Sequence, residues 1–383
     1  MMKLLKKVLL GIVIVIALVA ILAVVTGNSH LFKAVSSTYL KGHAGPSIDE
    51  HAIFESRTVA VGEYQPWELG EFYNKIYDKD LLKEIEAFDP AAFLVVKHNK
   101  IVYEKYWNGY DENSLTNSFS VAKTFIGLLI GIAIDEGKIN SIDDPVANYL
   151  PEYKNHPELT IKNLLTMSSG INFDESYTSP FGHMAKAYYG TDIKKLNEDY
   201  AVTETPGETW RYLGGNTIIL SFILEKVTKM TISEYMSEKV WQPIGAKNAA
   251  LWSLDKKDGR EKAYCCFYSN ARDFARIGQL YLNGGLWNDK RIVTEKYVEA
   301  STCSAYYLKD KNGTPVDFYG YHLWLTYYKD MDIYYARGIK GQFIIVIPER
   351  QLVIVRLGNE RSNELINNHP SDLFTYIDFA LKQ

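Results

Sequence analysis

Cysteine is nearly absent from this sequence. Cys265, Cys266 and Cys303 are the only three in 383 residues, and two of them are neighbours. An odd count with an adjacent pair argues against a disulfide framework, so all three are expected as small apolar residues of a core. No cysteine stands at metal-ligand spacing, and the eight histidines form neither HExxH nor HxH. The sequence therefore gives no basis for a metal, and no cofactor is expected. An excess of positive charge is missing too. Lys and Arg number 42 against 46 Asp and Glu, a net charge of −4, and no basic run interleaved with aromatics occurs past the N-terminus. Nucleic acid is excluded as a partner on that ground. Internal repeats and low-complexity segments are also lacking. What remains, 47% hydrophobic and 23% charged, is the balance of a globular protein.

One segment lacks polarity altogether. Residues 8–25 (VLLGIVIVIALVAILAVV) carry no charged or polar side chain. Eighteen helical residues span roughly 27 Å, close to the hydrocarbon thickness of a bilayer. A soluble helix of that length would show a polar face. Lys3, Lys6 and Lys7 precede the run and the next Lys or Arg is Lys33. Positive-inside reasoning puts the N-terminus in the cytoplasm and the remainder outside. The rival reading is a cleaved signal peptide, but Thr26-Gly27-Asn28-Ser29 is a poor cleavage site, and no cysteine follows to make a lipoprotein. The expectation is a single-pass anchor in the cytoplasmic membrane with the rest of the chain on the extracytoplasmic side.

Three regions are expected: an anchor over 1–27, a tether and N-terminal extension over 28–90, and the main domain over 91–383. The middle region contains a Gly/His/Pro stretch from Lys41 to His51 and shows no strong periodicity. Beyond it, Phe93–Lys97 and Ile101–Tyr106 are β-branched and aromatic runs around His98-Asn99-Lys100, a hairpin signal. Residues 121–134 are apolar nearly all round, which predicts a buried helix stopped at Gly137. A helix is predicted over Thr160–Met167, ending near Gly170. Asn216 is predicted to cap the run TIILSFILEKV, and Thr231-x-x-Glu234 is a capping box. Strands are predicted at 322–328, 333–336, 343–347 and 352–357, with a closing helix from Ser371 to Leu381. Strands first, helices in the middle and strands last define an α+β fold: an antiparallel sheet built from both chain ends, with flanking helices and an inserted helical lobe.

The first residues able to do chemistry are Ser120-x-x-Lys123. Positions i and i+3 of a helix adjoin, so the amine reaches the hydroxyl. A serine is a weak nucleophile without an adjacent base, and a lysine serves when burial and nearby cations favour its neutral form. The alternative for Ser120 is a helix N-cap. Ser253-x-x-Lys256 matches the same spacing, but in a polar stretch where both groups are expected to be solvated. Tyr212 follows the turn Pro206-Gly207 and precedes a predicted helix, where its phenol can share protons with Ser120 and Lys123; otherwise it is a core aromatic. Gly338-Ile339-Lys340-Gly341-Gln342 lies between two strands. Its glycines permit close backbone approach, and a free N–H there suits a developing oxyanion; otherwise it is an ordinary turn.

The order Ser120-x-x-Lys123, Tyr212-x-Gly214 and a glycine-bounded strand edge resembles the serine β-lactamase and penicillin-binding-protein superfamily, on its class C side. Ser118–Lys123, Leu164–Gly170, Asn270–Gly278 and Val346-Ile347-Pro348-Glu349 agree with it over most of residues 90–383. Within it, Tyr-x-Gly and Gly-Ile-x-Gly-Gln look most like the 6-aminohexanoate-dimer hydrolases and related esterases. The resemblance implies Ser120, Lys123 and Tyr212 as catalytic groups, with the backbone N–H groups of Ser120 and Ile339 as oxyanion hole. It implies Tyr177, Gly214, Gly338 and Gly341 around the substrate. Two departures matter: no Lys-Thr-Gly triad is present, and Gly214 replaces the asparagine of Tyr-x-Asn. Hydrolysis of a small ester or amide is therefore expected rather than efficient β-lactam hydrolysis. A slow-acylating binding or sensor domain and a cell-wall DD-peptidase remain as alternatives.

Overall fold

The computed structural model describes residues 1–42 and 45–383; His43 and Ala44, within the Gly/His/Pro stretch, lie outside them. Helix α1 (Met2–Val25) is long and apolar enough to cross a membrane, and none of its side chains is buried against the protein. It does not end in a slack linker. The Thr26 N–H donates to Leu22 O and the Asn28 N–H to Ala23 O, after which Asn28 O accepts from Leu31. Helix α2 (His30–Ser37) follows at once.

Two strands of the 28–90 segment join the sheets. β1 (Ser56–Val59) pairs with a strand about two hundred residues later, and β2 (Glu68–Leu69) runs parallel to the strand that begins at Lys100. Helix α3 (Lys79–Glu86) is capped by Asp78, whose carboxylate accepts the Asp80 and Leu81 N–H groups. The predicted hairpin is present as β3 (Pro90–Lys97) and β4 (Lys100–Tyr106). Its two turn residues, His98 and Asn99, both have positive φ (49° and 61°), the geometry whose twist matches paired strands. After β5 (Thr116–Asn117) comes α4 (Ala122–Asp135), with only its C-terminal residues outside the core, ending before Gly137 at φ 68°.

The helical lobe comprises α5 (Ile161–Leu165), α6 (His183–Tyr189), α7 (Ile193–Glu198), α8 (Gly214–Thr228) and α9 (Ile232–Met236). The Thr231–Glu234 capping box is formed. Asn216 does not cap α8, which begins two residues earlier. The Gly214 N–H is taken instead by the distant Glu175 carboxylate, and Asn216 is buried, bonded to Ser169 and Met167. β6 (Ala250–Ser253), β7 (Phe267–Ser269), α10 (Ala271–Leu282), the short β8 (Leu286–Trp287) and β9 (Lys290–Arg291), and α11 (Glu295–Ser301) lead to the C-terminal strands. These are β10 (Trp324–Tyr328), β11 (Met331–Gly338), β12 (Gln342–Ile347) and β13 (Leu352–Gly358); then β14 (Leu365–Ile366), β15 (His369–Pro370) and α12 (Asp372–Leu381) close the chain.

The main sheet has the order β10-β11-β12-β13-β3-β4-β2, so β13 joins the two chain ends, with Ile354 opposite Val95. Successive residues face opposite sides: Leu94 and Val96 share one core with α4 and α10, while Phe93 and Val95 pack with α12. Burial on both faces explains why these strands read as continuous apolar runs. A smaller sheet, β1-β6-β7-β5, leads directly to the start of α4.

Two expectations about cysteine and serine are corrected. Cys265 and Cys266 are buried but bonded to each other as a disulfide, with Cys266 at φ 65°, and Cys303 is exposed rather than in a core. Ser253 is fully buried on β6, not solvated, because it lies on a strand of the smaller sheet. Lys256 pairs with Asp192 at 3.3 Å.

Candidate active site

Ser120 lies in the tight turn Phe119–Val121 that opens into α4, and is partly exposed. Its neighbour Phe119 has φ 45°, a costly conformation for a bulky residue, on the order of 1–3 kcal/mol. Asn117 over-determines it. The Asn117 Oδ1 accepts the Phe119 N–H at 2.9 Å, while its amide donates to the Tyr268 and Tyr188 hydroxyls at 3.1 and 3.3 Å. Turn and helix together aim Ser120 Oγ at Lys123, whose Nζ donates to it at 2.9 Å. Lys123 is 1% exposed, and its other resolved partner is the Tyr264 carbonyl, also at 2.9 Å. His322 fixes the same turn from behind, donating from Nδ1 to Lys123 O at 2.9 Å.

Tyr212 comes from the loop before α8. The backbone just before it is tied down, with Trp210 N–H on Lys309 O and Arg211 N–H on Met167 O. Its ring packs with Trp324 and Tyr319, at centroid distances of 5.5 and 6.1 Å. Lys123 Nζ stands 5.0 Å from the Tyr212 ring centroid, within cation–π range. The two side chains are thus brought together from α4 and from the loop before α8.

The turn between β11 and β12 supplies Ile339, which lines the same cavity as Ser120. Lys340 and Gly341 both have positive φ, 61° and 82°. The turn's carbonyls are held from outside. Gln342 Nε2 donates to Ile339 O at 3.2 Å, and the buried Arg356 donates from Nη1 to Lys340 O and Gly341 O, each at 2.9 Å. A side chain at Gly338 would collide with the Ser118 carbonyl, and one at Gly341 with the Arg356 guanidinium. Both glycines are therefore required by packing, and neither lines the cavity beside Ser120.

A cavity of about 90 Å³ opens beside Ser120. Phe119, Met184, Tyr188, Tyr189, Tyr264 and Ile339 give it an apolar, aromatic wall. Tyr177, 55% exposed, stands at the mouth and donates to Glu175 Oε1 at 2.8 Å. The other Glu175 oxygen accepts the Gly214 N–H at 2.6 Å. Glu175 thus links Tyr177 to the Tyr212-x-Gly214 segment. Burial raises its carboxyl above the ordinary range, against the opposing charge of Lys123.

Sequence reading missed Glu175, Asn117 and Arg356. Glu175 sits two residues from Tyr177, in a segment already singled out, and Arg356 is a charge inside an apolar strand, a signal in itself. No group of three or more His, Cys, Asp or Glu side chains that could hold a metal occurs among the described residues. The arrangement is a hydroxyl against a buried primary amine, with that amine over the face of the Tyr212 ring. A hydroxyl in contact with an amine can pass its proton to that amine and so act as a nucleophile.

A fold of this topology around a serine–lysine pair is that of the beta-lactamase-fold serine hydrolases. The family model for beta-lactamase matches residues 79–370, and the chain belongs to that family. It is similar to the 6-aminohexanoate-dimer hydrolase of Paenarthrobacter ureafaciens, 28% identical over 297 residues, covering 73% of this chain and 75% of the relative. A solved structure provisionally named a 6-aminohexanoate-dimer hydrolase, from Bacillus anthracis, superposes with a TM-score of 0.73 at 23% identity, covering 85% of this chain and 90% of its own. A family VIII carboxylesterase superposes with a TM-score of 0.65 at 19% identity, covering 83% and 99%.

Proposed function

We propose that this chain is an exported, membrane-anchored hydrolase that cleaves a small ester or amide through an acyl-Ser120 intermediate. The observation that carries it is the 2.9 Å contact between Ser120 Oγ and the buried Lys123 Nζ, beside the Tyr212 ring. Ser120 Oγ attacks the carbonyl carbon and its proton passes to Lys123 or Tyr212. The carbon–heteroatom bond then breaks, Tyr212 returning a proton to the departing alcohol or amine. Water adds to the acyl-enzyme and releases the acid, leaving Ser120 free. The N–H groups of Ser120 and Ile339 hold the oxyanion, and Tyr177 and Gly214 border the acyl group. Lys123 and Tyr212 act as one coupled proton-transfer unit.

The apolar cavity wall favours an uncharged acyl group. The missing Lys-Thr-Gly triad favours esters and linear amides over β-lactams. Export and anchoring are supported by α1, with Lys3, Lys6 and Lys7 at its cytoplasmic end.

The test is covalent labelling with a fluorophosphonate probe, followed by a screen of short esters, linear amides, D-amino-acid peptides and a chromogenic cephalosporin. Labelling at Ser120, lost in Ser120→Ala, with turnover of esters or amides, is the expected result. An unlabelled but folded protein would point to a binding domain.

A further inference from the structure

The polypeptide that leaves α1 does not drift away from the active site; it builds part of its outer wall. Hydrogen bonds run without a break from the last turn of α1 into α2. The inner face of α2 packs on α6, the helix that supplies Met184, Tyr188 and Tyr189 to the cavity. His30 Nε2 donates to Pro180 O at 2.8 Å, which ties α2 to the loop bearing Tyr177. Lys33 lies 4.4 Å over the Phe54 ring, so this side of α2 is fully committed to the protein.

Its other side is not. Phe32 and Val35, three residues apart on the outward face, are 46% and 43% exposed, and Tyr39 and Leu40 in the next turn are 69% and 77% exposed. Phe181, on the loop that His30 grips, is 59% exposed. An amphipathic helix with large apolar groups turned outward lies stably in a lipid interface. Here the helix entering that interface is the direct continuation of a helix long enough to span the bilayer.

Resting on the anchored reading above, we propose that α2 lies in the membrane surface, with Phe32, Val35, Tyr39 and Leu40 among the headgroups, so that the catalytic pocket faces lipid and its substrate is a short-chain acyl ester or amide of a membrane-resident amphiphile. The cavity sets the acyl size. At about 90 Å³ it is smaller than the roughly 150 Å³ that accommodate benzene, so the space beside Ser120 favours a short chain over a long fatty acyl group. The lipid-soluble part is then the alcohol or amine that leaves. The bonds made and broken are those already given: Ser120 keeps the short acyl group until water removes it, and the protonated amphiphile returns to the bilayer.

The test uses the full chain in phosphatidylcholine vesicles and two butyrate esters of 4-nitrophenol, one water-soluble and one carrying a hexadecyl chain on the ring. The expected result is that Phe32→Ser with Leu40→Ser lowers kcat/KM for the hexadecyl ester about tenfold and leaves the soluble ester within twofold. Equal effects on both esters, or none on either, would overturn the interfacial role. Two controls separate this from the reading beneath it. Release of the wild-type chain by an alkaline wash would overturn the anchor, and turnover of the soluble ester by Ser120→Ala would overturn the hydrolase assignment.

Discussion

The buried guanidinium of Arg356 donates to the carbonyl oxygen of Gly341 at 2.9 Å, and to that of Lys340 at the same distance. A third bond reaches Phe88 O. No carboxylate pairs with Arg356 among the described residues; its partners are backbone carbonyls of the turn that carries Ile339 and of the entry to β3. Arg356→Met leaves those carbonyls unpaired in the interior, at a cost of about 3 kcal/mol. The turn's N–H then loses its fixed aim, so kcat is expected to fall about tenfold with KM changed less than twofold. Denaturation midpoints and steady-state kinetics on one ester check both effects.

Lys123 and Tyr212 are distinguished by leaving group. Lys123→Arg keeps a cation that cannot give up its proton, and is expected to lose activity by about 100-fold or more on every substrate. Tyr212→Phe keeps the ring packing on Trp324 and deletes the phenol. An activated ester needs little protonation of its leaving group, so this variant should be damaged more on a poor leaving group. Acylation and deacylation rates on one substrate of each kind measure the difference. Full activity of Tyr212→Phe on both would reduce Tyr212 to a packing residue.

Glu175→Gln preserves shape but removes a charge from the bond to Gly214 and from the neighbourhood of Lys123. A drop in kcat of about tenfold is expected, since the residue orients Tyr177 and the Tyr212 loop. Because burial raises the Glu175 carboxyl, wild-type rates should show an inflection above the ordinary carboxylate range, absent in Glu175→Gln. The pH dependence of kcat in the two proteins is the measurement.

Two buried histidines make stability fall in acid. Burial lowers His322 and His369 from 6.5 to about 4. Between those values the unfolded chain takes up protons that the folded chain refuses, so stability is complete above pH 6.5 and is lost as pH falls towards 4. Each histidine accounts for about 3 kcal/mol over the full interval. Urea unfolding from pH 7 to 4 should show the slope, and His369→Asn should reduce it. An unchanged slope would mean that other groups dominate acid unfolding.

Local features were legible in the sequence and tertiary ones were not. The β3–β4 hairpin, the buried run of α4 and the Thr231 cap each depend on residues a few positions apart, and periodicity or capping chemistry exposes them. Ser120 and Lys123 were found for the same reason, one helical turn joining them. Glu175 escaped because its partner Gly214 is 39 residues away, and the same distant contact displaced Asn216 from the helix cap it was predicted to form. Arg356 stands out as a charge inside an apolar strand, but the turn it supports, Lys340 and Gly341, is 15 to 16 residues away and the strand alone does not name it. Exposure of Cys303 and the bond between Cys265 and Cys266 depend on loop paths that composition does not encode.

The pairing of β13 with β3 also sets an order of events. Residues 352–358 must reach 90–97 before the main sheet exists, and loop closure over that separation is entropically costly and slow. Ile339 reaches the Ser120 pocket from the far side of that closure. Until those strands pair, the chain carries the serine and lysine within one helical turn but has no assembled cavity to use them in. Hydrolytic competence therefore arises only after the last strands have paired, so a partly folded chain holds the nucleophile without the pocket that would let it act.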